Sequence, residues 1–170
     1  MDVRLAIASR REVREYDQRP IPPEVERWIL DAGRLSGSAQ NRQPWRFVVV
    51  ESADVRERLA ECVFAPGNVR SATLVVAIVL SGDRPAALDA GRLMQNMLLA
   101  AHGEGVGGCP NGMPDRDRAA EVLGLGDGER PVNVLTFGYA ARPRDPESRA
   151  AEEWSARANR KPLDELVTRT

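Results

Sequence analysis

Three groups of residues in this sequence could do chemistry, and all three are better suited to binding than to proton or group transfer. The first is Arg10, Arg11 and Arg14, in the stretch SRREVR. Planar, permanently charged guanidinium forks suit phosphate oxygens. The same spacing also reads as a solvated basic face balanced by Glu12 and Glu15. The second is the loop SGSAQNRQPW, Ser36–Trp45, in which Ser38, Asn41 and Gln43 can each donate and accept hydrogen bonds. That suits the mixed edge of a neutral heterocycle, and it equally suits a loop whose amides cap its own turns. The third is Gly105–Gly112 in the glycine-dense run GEGVGGCPNG. Glycines let backbone N–H groups approach a ligand, but the run also reads as a flexible turn. No G-x-G-x-x-G follows a strand and no P-loop lysine is present, so the familiar nucleotide fingerprints are absent.

Catalytic side chains are scarce. The sole histidine, His102, has no obvious Ser or Cys partner and falls near the end of a long helical pattern, where capping or an interface is the ordinary role. Cys109 sits in the glycine run before Pro110, and the acids are scattered over surface-type helices. Binding groups without catalytic ones point to a cofactor that carries the chemistry itself. Two cysteines and one histidine nearly rule out a Cys/His zinc site. Lys+Arg 24 against Asp+Glu 25 gives a net charge of −1, which argues against a broad nucleic-acid footprint. The N-terminus has too short an apolar part for a signal peptide, and no run approaches the roughly 20 apolar residues of a membrane span. A cytoplasmic protein with reduced thiols is the expectation.

The elements that must position these groups interleave helices with strands. Asp2–Ala8 reads as a short helix leading into the arginines. Pro22-Pro23-Glu24 starts a second, with Val25, Trp28, Ile29, Ala32 and Leu35 as its inward face. WRFVVV is a strand, Ser52 caps a helix with Val55, Leu59 and Cys62 or Val63 inward, and Pro66-Gly67 is a turn that breaks it. TLVVAIVL is apolar throughout, as a strand buried on both faces requires. SGDRP is a loop. Ala86–His102 reads as a long helix with a broad apolar surface and a narrow polar strip of Arg92, Gln95 and Asn96, which suggests a subunit interface. Pro114 starts a helix to about Leu123, ended by Gly124, and VNVLTFGY is a third strand. The charged remainder from Ala140 carries almost no core. An α+β layered fold follows, in one domain of 170 residues.

Five blocks in order carry a family likeness: SRREVREYDQRPIPPE, SGSAQNRQPWRFVVV, DAGRLMQNMLLAAHGEGVGGCPNG, VNVLTFGYAARP and NRKPLDELV. From end to end the chain resembles the flavin-dependent nitroreductases. The Arg-Arg-x-x-Arg and Asn-x-Gln-Pro-Trp segments are the most specific pieces. The resemblance implies an α+β fold with a central, mainly antiparallel sheet flanked by helices. It implies an intertwined homodimer with two FMN sites at the interface, and a segment from about residue 141 to 170 extending over the partner. Arg10, Arg11, Arg14 and Arg160 correspond to phosphate and ribityl contacts. Ser38 and Asn41 correspond to loop groups that meet the other subunit's flavin. Pro110, Asn111 and Gly112 correspond to the segment whose backbone amide faces flavin N5, and Asn68 or Arg70 to a polar contact with the ring edge or ribityl chain. The implied activity is ping-pong hydride transfer from NAD(P)H through FMN to a nitroaromatic, quinone or similar acceptor. A dedicated biosynthetic flavin dehydrogenase and a flavin-binding module without turnover are the alternatives. Glu12, Gly37 and Ala39 stand where the family commonly has serine, proline and serine.

Overall fold

The computed structural model describes residues 1–82 and 86–170. Its contacts divide the chain into a larger unit, Glu12–Pro143, and a smaller one built from Met1–Arg11 and Arg144–Thr170.

The larger unit is layered on a four-stranded sheet: β1 (Trp45–Val49), β2 (Leu74–Ser81), β3 (Gly107–Asn111) and β4 (Glu129–Gly138). The order is β1-β2-β4-β3, and every neighbouring pair is antiparallel. β2 is central. Its residues from Leu74 to Leu80 are all buried. Leu74, Val76 and Ile78 face one core, and Val75 and Ala77 face the other. The unbroken apolar run is thus the alternation of a strand with no solvent face.

On one face of the sheet lie α2 (Pro23–Arg34) and α5 (Ala87–Gly103), around Ile29, Leu93, Met97, Leu135 and Phe137. On the other lie α3 (Ala53–Ala60), α4 (Pro66–Ser71) and α6 (Arg116–Val122), around Leu59, Cys62, Val69, Ala119 and Val134. Ser52 and Asp115 cap α3 and α6 through their side chains, and Gly124 leaves α6 at a φ of +61°. Glu12 bridges to Gly108 in parallel and Tyr16 to Ala140 antiparallel, so the segment that starts at Glu12 lies along the β3 edge.

Several expectations need correction. Pro66-Gly67 does not form a simple turn, because Pro66 opens α4, where its missing N–H is not needed. Trp28 and Leu35 are exposed. The inward stripe of α2 is Ile29, Ala32 and Gly33, with Gly33 so close to Phe47 and Met97 that a Cβ there would lie 2.8 Å from the Phe47 ring. The third strand starts at Glu129, ahead of Val132. The glycine run is not a flexible turn, since Gly107–Asn111 is strand β3. The loop expected at SGDRP lies partly outside the described residues, at 83–85.

In the smaller unit, α1 (Val3–Ser9) packs with α7 (Ala151–Ala156). Asp2 caps α1, accepting from Leu5 N at 2.9 Å. Trp154 is 5% exposed and its indole N–H donates to the Pro146 carbonyl at 2.8 Å, so the charged tail holds one real anchor. Among the described residues, no helix is long and apolar enough to cross a membrane, and no cluster of His, Cys, Asp or Glu could hold a metal ion.

Candidate functional site

The Ser36–Trp45 loop is held by itself and from beneath. The Ser38 hydroxyl accepts from Gln43 N at 2.8 Å, and Gln43 Nε2 donates to the Asn41 carbonyl at 3.3 Å and to Asn41 Oδ1 at 3.2 Å. Arg42 pairs with the Gln40 side chain. Gln40, Asn41 and Gln43 have φ of 55°, 55° and 52°. A left-handed conformation at non-glycine residues costs of order 1–3 kcal/mol each, least for asparagine, and persists only where the surroundings enforce it.

The enforcement comes from α5. Asp89 accepts from Ala39 N at 3.3 Å, and Asn96 donates to the Ser36 hydroxyl at 2.7 Å. The Arg92 guanidinium packs so closely on Gly37 that a Cβ would lie 2.8 Å from its Nη2. Positions 89, 92 and 96 share one helix face, so the polar strip of this apolar helix is the loop's floor. Sequence reading singled out Arg92 and Asn96 but missed Asp89, whose spacing to them was the available signal. Gly37, with no Cβ, leaves room for Arg92. Asn41 is exposed at the loop's tip, and its Nδ2 has no acceptor among the described residues.

Beside the other edge of the sheet, Pro110 and Asn111 end β3 and Gly112 follows it. Pro110 has no N–H. Asn111 N donates to Asn133 Oδ1 at 3.0 Å. Gly112 N has no acceptor among the described residues, while its carbonyl accepts from Phe64 N at 3.1 Å. Of the three residues, only Gly112 therefore offers a backbone donor. Phe64, 77% exposed, lies alongside it.

Behind Gly112 runs a buried polar chain. Asn68 Nδ2 donates to Asn111 Oδ1 at 2.7 Å, and Asn111 Nδ2 donates to the carbonyls of Cys109 and Val134 at 3.0 Å each. Asn111 Nδ2 also reaches the Thr136 hydroxyl at 3.1 Å, which is 2.9 Å from the Tyr16 hydroxyl. Tyr16 donates to the Val13 carbonyl at 2.6 Å. Burial raises the Tyr16 phenol above its ordinary pKa, so it stays protonated. Burial first, and the Glu12 charge second, raise the Cys109 thiol, which removes it as a nucleophile. Tyr16, Asn133 and Thr136 were not singled out by sequence. Arg70, on α4, makes an exposed ion pair with Glu57, with Nε 2.9 Å from both carboxylate oxygens.

In the smaller unit, Arg11 is braced. It donates to the carbonyls of Ala8 at 2.7 Å, Arg10 at 2.8 Å and Trp154 at 3.2 Å, and its guanidinium lies 5.9 Å from the Trp154 ring centre. Burial, then the charges of Arg160, Arg144 and Arg10, lower the Arg11 pKa from its ordinary value. Positive charge thus converges there, and Arg160 is part of it. Arg14 belongs to the larger unit and is exposed.

Ser38 and Asn41 precede β1, and Gly112 follows β3, so the two groups sit by opposite edges of one sheet. Three strand spacings, roughly 14 Å, separate those edges. One larger unit does not bring the loop and the Gly112 donor together.

The sequence profile described as the nitroreductase family matches residues 7–80 and 68–139. A candidate NADH dehydrogenase/NAD(P)H nitroreductase of Methanothermobacter thermautotrophicus is 30% identical over 169 residues, covering 91% of this chain and 88% of the relative. A crystal structure of a candidate protein of the same description from Parabacteroides distasonis superposes with a TM-score of 0.78 at 26% identity, over 85% of this chain and 93% of that one. A nitroreductase family protein of Clostridium difficile shares the fold with a TM-score of 0.82 at 24% identity, over 99% and 98% of the two chains. The α+β architecture with its antiparallel sheet is the nitroreductase fold, and the chain belongs to the nitroreductase family.

Proposed function

We propose that this chain is an NAD(P)H-dependent, FMN-containing oxidoreductase that works as a homodimer. The observation that carries the reading is the Gly112 N–H, a backbone donor without an acceptor at the end of a rigid edge strand. It is the kind of group that meets a flavin at N5. The donor types suit FMN: exposed neutral amides suit its ring, and the guanidiniums of the smaller unit suit a dianionic phosphate. A relative in Vibrio harveyi is named an NADPH-flavin oxidoreductase, which agrees with both cofactors. Bound FMN would supply the chemistry, taking hydride from a nicotinamide and passing it to a nitroaromatic, quinone or similar acceptor.

The protein's own work in this reading is binding and aim. Arg10, Arg11, Arg14 and Arg160 neutralise the phosphate and fix the ribityl chain. The Gly112 N–H orients toward N5, where a preorganised donor costs no reorganisation during reaction. Ser38 and Asn41 address the ring of the partner's flavin, because their own chain keeps them at the far edge from its Gly112. The chain is then one domain whose residues from about 141 to 170 extend over the partner. Leu163, Leu166 and Val167, exposed at 72%, 64% and 45%, give that segment apolar surface to bury.

Purification tests the reading directly. The protein should carry FMN, or take it up when FMN is added, and lose the flavin's visible absorption on anaerobic addition of NADH or NADPH. Bound flavin that neither nicotinamide reduces would leave a flavin-binding module and end the reductase reading.

A further inference from the structure

The polar chain behind Gly112 is costly by the ordinary rules of protein interiors. Thr136, Asn111, Asn68 and Tyr16 are 0%, 3%, 6% and 7% exposed, in a core otherwise built of Val, Ala, Leu, Met and Cys. A buried amide without partners loses stability, and apolar residues of similar size would fill the space without that risk. Here the Asn111 amide is satisfied on both sides. Its nitrogen is shared among Cys109 O, Val134 O and Thr136 Oγ1, and its oxygen accepts from Asn68. Its backbone N–H is taken by Asn133. The register of β3 on β4 already extends through Asn111, so the Asn111 side-chain amide is not needed to align the two strands. The extra bonds fall at the last residue of the strand, immediately before the Gly112 N–H, which has no acceptor among the described residues.

We propose that Asn68, Asn111 and Asn133 are positioning residues: they clamp the Asn111–Gly112 peptide so that the Gly112 N–H holds a fixed direction toward the flavin. This rests on the functional reading above and assigns Asn68 a different task from direct contact with the cofactor. Asn68 grips the Asn111 side chain from α4, Asn133 grips its main chain from β4, and Thr136 and Tyr16 tie both to the segment that carries Arg14. Asn111, from which the Gly112 N–H projects, is held by its side chain and its main chain, and Gly112 O by Phe64 N, so the donor does not have to be aimed during each turnover.

Two variants test it, Asn68→Ala and Asn133→Ala, each compared with the wild-type dimer. The readouts are the amide resonance of Gly112 with and without FMN, the affinity for FMN, and the rate of flavin reduction by NADH or NADPH. In the wild type, FMN should move the Gly112 resonance downfield. In both variants that movement should shrink by half or more and the reduction rate should fall roughly tenfold, as misaimed groups do. FMN affinity should stay within about threefold of wild type, since no proposed contact is lost. Asn133 is only half-buried, so its variant keeps the test alive if Asn68→Ala does not fold. An unchanged Gly112 shift and rate in either folded variant overturns the proposal. So does a large loss of FMN affinity in Asn68→Ala with the Gly112 shift intact, which is the signature of direct contact. A wild-type protein that takes up no FMN refutes the functional reading itself, and this inference with it.

Discussion

The two segments that flank the sheet, Gly107–Gly112 and Ser36–Trp45, are both rich in small and amide residues, and they are held in opposite ways. The first is a strand. Its Gly108 is so enclosed that a Cβ would lie 2.8 Å from Leu98 Cδ2 and 2.9 Å from Phe137 Cδ1. Its one asparagine is buried in a hydrogen-bond chain. The second is a surface loop whose polar groups mostly bond one another while α5 grips three points along it. Rigidity comes from packing in one and from a polar floor in the other. Substitutions in the packed part of the first, ahead of Gly112, should therefore register as stability, and in the second as ligand affinity.

The largest effect should come from Gly108→Ala. The new methyl must displace a fully buried phenyl ring or Leu98, and overpacking of this kind costs about 1–3 kcal/mol. Chemical denaturation measures it, and a variant as stable as wild type would break the contrast at its packed end. Asp89→Ala should do the reverse. It releases Ala39 N from a surface loop, so FMN affinity should fall roughly tenfold while the unfolding free energy changes by under about 1 kcal/mol. A stability loss without an affinity loss would make the α5 floor merely structural. Gln40→Gly relieves a φ of 55° at the loop's strained position. It should stabilise the fold by about 0.5–1 kcal/mol and weaken FMN binding, because strain and ligand geometry coincide there.

The smallest effect is electrostatic, at the β1 end of the loop. Arg46 pairs with Glu129 at 2.5 and 2.8 Å, and Gly126 N donates to the same carboxylate at 3.0 Å. The Arg46 bond, then the Gly126 bond, hold the Glu129 pKa down to about 2 from an ordinary 4.5. A depressed carboxylate contributes stability above its unfolded pKa and loses it as pH falls through its folded one. Glu129→Gln should therefore lower the denaturation midpoint slightly at pH 6, and the difference from wild type should close between pH 4.5 and 2. A difference that persists at pH 2 would assign the contribution to the amide-sized side chain instead of its charge.

Much of this architecture was legible in the sequence. TLVVAIVL suggested a strand with two buried faces, which β2 is, and the caps at Ser52 and Gly124 marked helix ends correctly. What escaped was whatever depended on tertiary pairing. GGCPN has poor strand propensity, and it is a strand because β4 pairs with it and its glycines admit Val13, Leu98 and Phe137. Trp28 and Leu35 fit a helical period but fall beside the true stripe, which Gly33 occupies. In the site, residue types were readable and partnerships were not. Asn111 meets Val134 and Thr136 across 23 and 25 residues, and Asp89 meets Ala39 across 50. No local pattern encodes those distances, though the 89, 92, 96 spacing was visible as a polar stripe on an apolar helix.

The account's central claim is that these two segments, at opposite edges of one chain, serve the flavins of different subunits. Mixing two defective variants tests it most directly. One carries Ser38→Ala with Asn41→Ala, and the other carries Gly112→Val, each impaired in FMN-dependent NAD(P)H oxidation as a homodimer. In the mixed dimer the account predicts one site built from the two intact segments, so mixing should restore activity well above either parent, with one functional flavin per dimer. A mixture no more active than its parents would place the loop and Gly112 on the same flavin within one chain and contradict the claim.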